Sequence, residues 1–357
     1  MKTNLREPFF TFVVLGFMLF VGCDPFDSDD IYQNNNCTNK EKVTVPVGFE
    51  ISEVTTITGD DYFTELQFAN DDIGYILGAS KAHGYVAIYK TNNQGASWNK
   101  LSLNVKTQPG NMLIVNEDTG FISYYGYTGN LYKTTDGGKT WIDKSYANLQ
   151  GNLHHLQKDK DNNLYGLVSQ GENAAVLVKS TDHAGSWQII NDSKELALKY
   201  LNFSFKIYND RIYVRGQNGN FMVMDLAGNR LDEVKIGISF IESFDVLSYS
   251  DFVLVGHDGA FISTNSGESW KIIQEKSVKV IDLENIKTAL FMYSKSLCPV
   301  DYIFSNDVIA YTEDGGTTWA ESKEATNISY ELVGKYKQTN GDILVLIDNQ
   351  LYKITRI

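Results

Sequence analysis

The chain has 357 residues, enough for one large domain or two ordinary ones, and 43% of them are hydrophobic, with 21 Tyr and 19 Phe that favour strands. Its formal charge of -13 argues against a nucleic-acid partner, which needs clustered Lys and Arg. Only five prolines and few charge runs argue against a disordered chain.

Lys2 and Arg6 precede PFFTFVVLGFMLFVG, an apolar run too short and too near the start for an ordinary spanning helix; residues 1–22 read as a signal peptide. The run ends at Gly22-Cys23, and LFVGC resembles the lipobox of bacterial lipoproteins, which implies cleavage before Cys23 and lipid attachment to it. Phe20 stands where Leu, Val or Ile is usual, so a plain signal peptide is the alternative. Residues 23–41, acidic and then Asn-rich, read as a solvated tether. DPFDSDD resembles the acidic export signal that sends lipoproteins of some Gram-negative phyla to the cell surface. Together these features predict a lipid-anchored envelope protein, in the outer membrane and exposed at the surface. With Cys23 lipidated, Cys37 and Cys298 remain in an oxidising compartment, where a disulfide is the default. Two free thiols, or Cys37 pairing between chains, are the alternatives. No CxxC or His/Cys spacing suggests a metal, and no motif suggests a cofactor.

From residue 42 onward the chain repeats itself. All five tryptophans close the same phrase, as in IYKTNNQGASW at Trp98 and LYKTTDGGKTW at Trp141. Counting from its first Ser or Thr, that residue is Thr91, Thr134, Ser180, Ser263 or Thr312, and position three is Asn93, Asp136, Asp182, Asn265 or Asp314. Position five is Gly except at Ala184, and position eight is Trp98, Trp141, Trp187, Trp270 or Trp319. A sixth, degenerate copy, MDLAGNRL, keeps Gly228 and puts Leu231 at the tryptophan position. Short oxygen-bearing side chains cap a tight turn, and glycine reaches positive φ without penalty. The Asp and Asn residues are thus expected to be turn caps, and Ala184 predicts one distorted turn. A lone carboxylate per turn is too little for calcium.

The eighth positions fall at 98, 141, 187, 231, 270 and 319, and two strand-like runs lie upstream of each phrase, such as FDVLSY and FVLVG. A period of ~40–50 residues built of four short strands is that of a propeller blade. Six phrases close six blades; after Trp319 come three more strands, and KVTVPVGFE at 42–50 is available as the missing outer one. The expected fold is all-β: a seven-bladed propeller of four-stranded antiparallel blades over residues 42–357, closed by strands from both termini. Six blades plus an unpaired tail is the alternative.

The phrases resemble the Asp-box (BNR) repeat, S/T-x-D-x-G-x-x-W, and with DIGYILG and TGFISYYG before them they are similar to the photosystem II assembly-factor branch of that superfamily. The resemblance implies the propeller fold, whose loops between second and third strands and between blades form the usual ligand face, opposite the tryptophan turns. Candidate binding residues there are Tyr124, Tyr125, Tyr127, Tyr293 and Tyr302 as an aromatic floor, with Arg215 and His257 beside it. Packing of some of these tyrosines between strands is the competing reading. Asp-box sialidases need three arginines from different blades, but after residue 22 only Arg211, Arg215, Arg230 and Arg356 remain, three of them in one blade. The predicted function is a binding or assembly module for an envelope protein or a glycan, without catalytic residues. The alternative is a non-sialidase hydrolase with paired carboxylates in the channel, for which Glu242, Asp245 and Asp258 are candidates.

Overall fold

The computed structural model describes residues 48–357, except 104–106, 125–130, 145, 147–148, 150, 170–174, 193–195, 197–204, 217–218, 238–240, 257, 276–277, 297–304 and 322–331. The signal peptide, the tether, Cys23, Cys37, Cys298, Tyr125, Tyr127, His257 and Tyr302 lie outside the described residues.

Seven four-stranded antiparallel sheets form a ring of blades. The innermost strands are Asp61–Phe68, Pro109–Ile114, Leu153–Lys158, Lys206–Tyr208, Ile241–Val246, Val278–Leu283 and Leu332–Lys337 in blades one to seven. Second and third strands are covered on both faces, so they read as unbroken apolar runs, such as FVLVG at Phe252–Gly256 and ILVLI at Ile343–Ile347. Several outer strands are only two residues long, which leaves little unpaired edge.

Blade seven is completed by the chain start. Phe49–Thr56 pairs antiparallel with Gln350–Arg356, from Phe49 opposite Arg356 to Thr56 opposite Gln350. Closure by the chain start is thus as expected, and its described pairing runs beyond the expected 42–50, through Thr56. Gly48, with φ +95°, precedes this pairing and still accepts from Ile357 N at 2.9 Å; VTVPV at 43–47 lies outside the described residues.

The repeated turns share one hydrogen-bond pattern. In blade two, Thr134 Oγ1 accepts from Gly138 N at 2.8 Å and donates to Asp136 Oδ1 at 2.9 Å. Asp136 accepts in turn from Thr140 N and Thr140 Oγ1, at 2.9 and 2.6 Å. Asn93 does the same for Ser97 N and donates its amide to Ser97 Oγ, which is how Asn serves where Asp is usual. Positions four and five are both left-handed: Gly137 and Gly138 have φ +70° and +85°, His183 and Ala184 +55° and +61°. The turn with Ala184 is not distorted, contrary to expectation; its N–H still bonds Ser180 Oγ at 2.9 Å. Alanine pays ~1–2 kcal/mol for that conformation, a strain small enough for the surrounding packing to absorb.

The tryptophans do more than close their own turns. Each leans back onto the preceding blade: Trp270 Nε1 donates to Lys235 O at 3.0 Å, and Trp319 Nε1 to Ile273 O at 3.2 Å. A Cβ on Gly95 would stand 2.2 Å from Leu351 of blade seven, and one on Gly138 2.7 Å from Leu101 of blade one. Position five must be small because the turn rests on its neighbour. In the other direction, Lys90 and Lys133 each reach forward to a turn carbonyl of the next blade, Gly137 O at 2.8 Å and His183 O at 2.7 Å. The hydrophobic clusters accordingly lie at the seams. Leu113, Phe121 and Leu131 of blade two, for example, meet Leu164, Val176 and Trp187 of blade three. In the degenerate copy Leu231 is 54% exposed, and Leu226 joins the seam between blades three and four.

Candidate functional site

The five tryptophan turns, the degenerate turn at 225–229 and the hairpins between first and second strands share one face, here the lower. The turns 69–73, 91–98, 115–119, 134–141, 159–163, 180–187, 209–210, 225–229, 247–251, 263–270, 284–288, 312–319 and 338–342 hold sixteen Asp and Glu against three Lys. Their balance of -13 equals the formal charge of the whole chain. Three of these charges persist into acid: hydrogen bonds from Thr140 hold Asp136 at about 2, and those from Ser186 and Thr318 do the same for Asp182 and Asp314. The acidic character read from composition is thus concentrated on one side of the ring.

On the upper face a cleft of about 600 Å³ opens between blades seven and one. Its walls include Tyr62, Thr64, Lys81, Val333, Asp348 and Asn349. Tyr62 is 60% exposed, and Lys81 Nζ stands 5.1 Å from its ring centroid. The hairpin at Asp348–Asn349 is fixed to the start of the segment leading into blade one by Ile57 N donating to Asn349 O at 2.8 Å. Asp61 is occupied beneath it, accepting from Tyr89 Oη at 2.6 Å and paired with Lys100 at 2.5 Å.

Thr64 also lines a second hollow of about 530 Å³ along the inner strands of blades one to three, with Glu65, Gln67, Asn111, His155 and Gln157. Each of these inner strands carries a bulge, at Phe63/Glu65, Pro109/Met112 and His154/Gln157, which breaks the ladder and turns side chains toward the next blade. Side-chain amides then replace ladder bonds across the gap. Gln67 Nε2 donates to Met112 O at 2.7 Å, and its Oε1 accepts from Ile114 N at 2.8 Å. Gln157 repeats this with Phe205 O and Ile207 N.

Glu65 completes the first clasp, accepting from Met112 N at 2.7 Å and from Gln67 Nε2 at 2.6 Å. Burial outweighs these bonds and raises its carboxyl from 4.5 to about 7. A raised acid favours the folded state below its ordinary value, and that advantage is lost as pH rises through about 7. The stability of Glu65→Gln relative to wild type should therefore increase between pH 4.5 and pH 8, by up to ~3 kcal/mol. Urea unfolding at both pH values measures it; a difference that stays constant would show that Glu65 does not titrate in this range.

The expected aromatic floor is not assembled among the described residues. Tyr124 ends the second strand of blade two half-buried, 4.8 Å from the Tyr132 ring, and bonds Asp143. Tyr293 is a correction: it lies inside the strand Ala289–Ser296, buried against blade five, and its hydroxyl bonds Glu321. Arg215 is also buried, at the end of Arg211–Arg215. Asp245, one of the carboxylates considered for hydrolysis, pairs with Lys206 at 2.9 Å. The sequence reading passed over Tyr62, Asp348 and Asn349, because the cleft forms only when the two chain ends meet; within ASKAHGY at 79–85, Lys81 was the available hint.

A family profile described as photosynthesis system II assembly factor YCF48 matches residues 50–296. The photosystem II assembly lipoprotein Ycf48 of Prochlorococcus marinus is 24% identical over 287 residues, covering 66% of this chain and 81% of the relative. A structure of Ycf48 bound to a D1 peptide superposes with a TM-score of 0.63 at 12% identity, over 87% of this chain and 99% of that one. Ycf48 from Cyanidioschyzon merolae gives 0.59 at 13% identity, over 85% and 98%. At such identities the two structures bear on the fold alone. The profile, however, spans well over half of the sequence, and by it this chain belongs to the family of the photosynthesis system II assembly factor Ycf48.

Proposed function

We propose that this protein is a lipid-anchored assembly factor of the cell envelope, which holds a segment of a protein partner in the upper cleft between blades seven and one. The observation that carries this reading is the cleft itself: about 600 Å³, with an exposed Tyr62 ring and Lys81 beside it, on the face away from the charged turns. One exposed aromatic next to polar hairpin groups suits a peptide side chain, since such rings give contact area at little entropic cost. The family relatives support it further, one being a lipoprotein and another a protein whose structure holds a D1 peptide. The LFVGC junction followed by DPFDSDD in the sequence supports lipid attachment at Cys23 and an outer-membrane, surface-exposed position. The balance of charge supports a protein partner over a nucleic acid.

A photo-crosslinking residue placed at Tyr62 in the full chain, in its own cells, is the test. It should yield one discrete adduct with a membrane or envelope protein, and the adduct should weaken at least about tenfold with Lys81→Glu, a loss of ~1.4 kcal/mol. A crosslinker at Tyr249, on the lower face, should give no such adduct. Equal labelling from both faces would defeat the proposal.

A further inference from the structure

In six of the seven seams a turn of one blade rests on the blade before it. The turns of blades one, two, four, five and six bring Gly95, Gly138, Gly228, Gly267 and Gly316 against Leu351, Leu101, Ile190, Val234 and Ile273. Trp187 lays the turn of blade three on blade two. Blade seven has no such turn among the described residues. Its third strand, Gln350–Arg356, runs straight on against Phe49–Thr56, because its outer strand comes from the chain start. Among the described residues, the seam between blades six and seven therefore receives no turn.

A cavity of about 230 Å³ lies in that seam, at its lower end. A single water needs only about 10–15 Å³. Phe49, Leu290, Tyr311, Ile343 and Ile354 give it apolar walls. One device that holds the internal turns is still present. In four blades the fourth residue of the turn donates its N–H to the hairpin between first and second strands. Gln94 reaches Asp72 O at 3.1 Å, and Gly137, Ser266 and Gly315 reach Asp118, Ser250 and Lys287 O at 2.9 Å. The equivalent carbonyl in blade seven is that of Gly341, since Gln338 N closes that hairpin on Asp342 O as Ala69 N closes the first on Ile73 O. Gly341 lines the cavity, and among the described residues no N–H reaches its carbonyl.

The electrostatics of the seam differ from the others. Lys90, Lys133 and Lys179 each reach forward to a turn carbonyl of the next blade. Blade six has Tyr311 at that position, and its hydroxyl bonds Glu313. Asp282, Glu284 and Asp342 line the cavity against Lys337 and Arg356. Both cations are taken, Lys337 by Asp282 and Glu284 at 2.8 and 3.1 Å, and Arg356 by Glu313. Asp342 accepts from the Asn340 amide at 3.0 Å and stands a loose 3.6 Å from Lys353. The surrounding lower face holds sixteen Asp and Glu against three Lys in its turns, so it draws in a cationic occupant.

We propose that this seam is a docking site for a tight, basic turn of a partner protein, which supplies in trans the turn that blade seven lacks. Glycines in the left-handed positions let its N–H reach Gly341 O, as in the internal turns, and a Lys or Arg beside them meets Asp342. The site lies on the lower face and does not depend on the reading of the upper cleft.

The probe is a fluorescein-labelled octapeptide, Thr-Lys-Asn-Gly-Gly-Lys-Thr-Trp-amide, mixed with the full chain in detergent and read by anisotropy. Saturable binding with a midpoint below about 0.3 mM is expected. Replacing its two glycines by alanine should weaken binding at least about tenfold, because each alanine resists the left-handed conformation. Replacing its lysines by glutamate, or filling the cavity with Ala289→Phe, should abolish binding. A second measurement needs no variant to fold: the peptide with photo-leucine in place of its Trp should crosslink the wild-type chain at Leu290, Tyr311 or Ile343, identified by mass spectrometry. Crosslinks at the upper cleft or spread over the lower face overturn the proposal, as does equal binding of the alanine peptide. Displacement by butylammonium at the peptide's own concentration would make this a site for small cations. Absence of binding would leave the seam to the chain's own start or to a second copy. Either result ends the partner-turn reading.

Discussion

Removing residues 24–56 should destabilise the whole ring, lowering its stability by on the order of 5 kcal/mol and leaving a protein that associates. The closing strand contributes backbone pairing along Phe49–Thr56 and partly buries Phe49, Ile51 and Val54 against the seams on either side of blade seven. A net ~1 kcal/mol for each of several hydrogen bonds and ~1 kcal/mol for each half-buried side chain sets the scale. The deletion must include residues 40–48, because VTVPV could otherwise slide into the vacant register. Exposing Gln350–Arg356 would create the unpaired edge that closed rings avoid. Thermal unfolding and size-exclusion chromatography read both effects, and a monomer with the parent's melting temperature would show that blade seven does not need this strand.

Trp187→Ala should cost ~3–5 kcal/mol, the largest effect expected from one substitution in the repeated turns. Trp187 is 4% exposed and packs with Leu113, Phe121 and Leu131 of blade two, its ring 6.2 Å from Tyr146 in an edge-on arrangement. The other four tryptophans are only partly buried and should cost less. Leu231→Ala, at the matching position of the degenerate copy, should stay within ~0.5 kcal/mol because that side chain faces water. Urea unfolding compares them. Similar values for Trp187 and Leu231 would mean that the tryptophan closes only its own turn and holds no seam.

The blades were legible because their signal is local. A turn with fixed caps, a left-handed glycine and a tryptophan occupies eight consecutive residues, and its spacing counts the repeats without any knowledge of tertiary contacts. What escaped was non-local or depended on one residue. The β-branched VTVPV attracted the closing-strand assignment, while the pairing of the less regular FEISEVTT, with its exposed Glu50, Ser52 and Glu53, had no sustained alternation to announce it. Tyr293 read as a loop aromatic because YSKS is polar, but the second strand of blade six runs on to Ser296, and alternation points Tyr293 inward.

Closure by the chain start also has a mechanical side. Phe49 lies opposite Arg356, with Ile357 N bonded to Gly48 O at 2.9 Å, so the N-terminal segment leaves the ring at the outer edge of blade seven on its lower side. Tension along that segment falls first on this outermost pair and would separate the closing strand one register position at a time, as a zip opens, instead of shearing all its bonds together. The ring would then yield at moderate force, and it would yield at the junction between blades seven and one that forms the upper cleft. With the anchor and the cleft partner proposed above, a pull on the N-terminal segment would be a means of loosening that partner, delivered along the backbone without any change at the opposite blades.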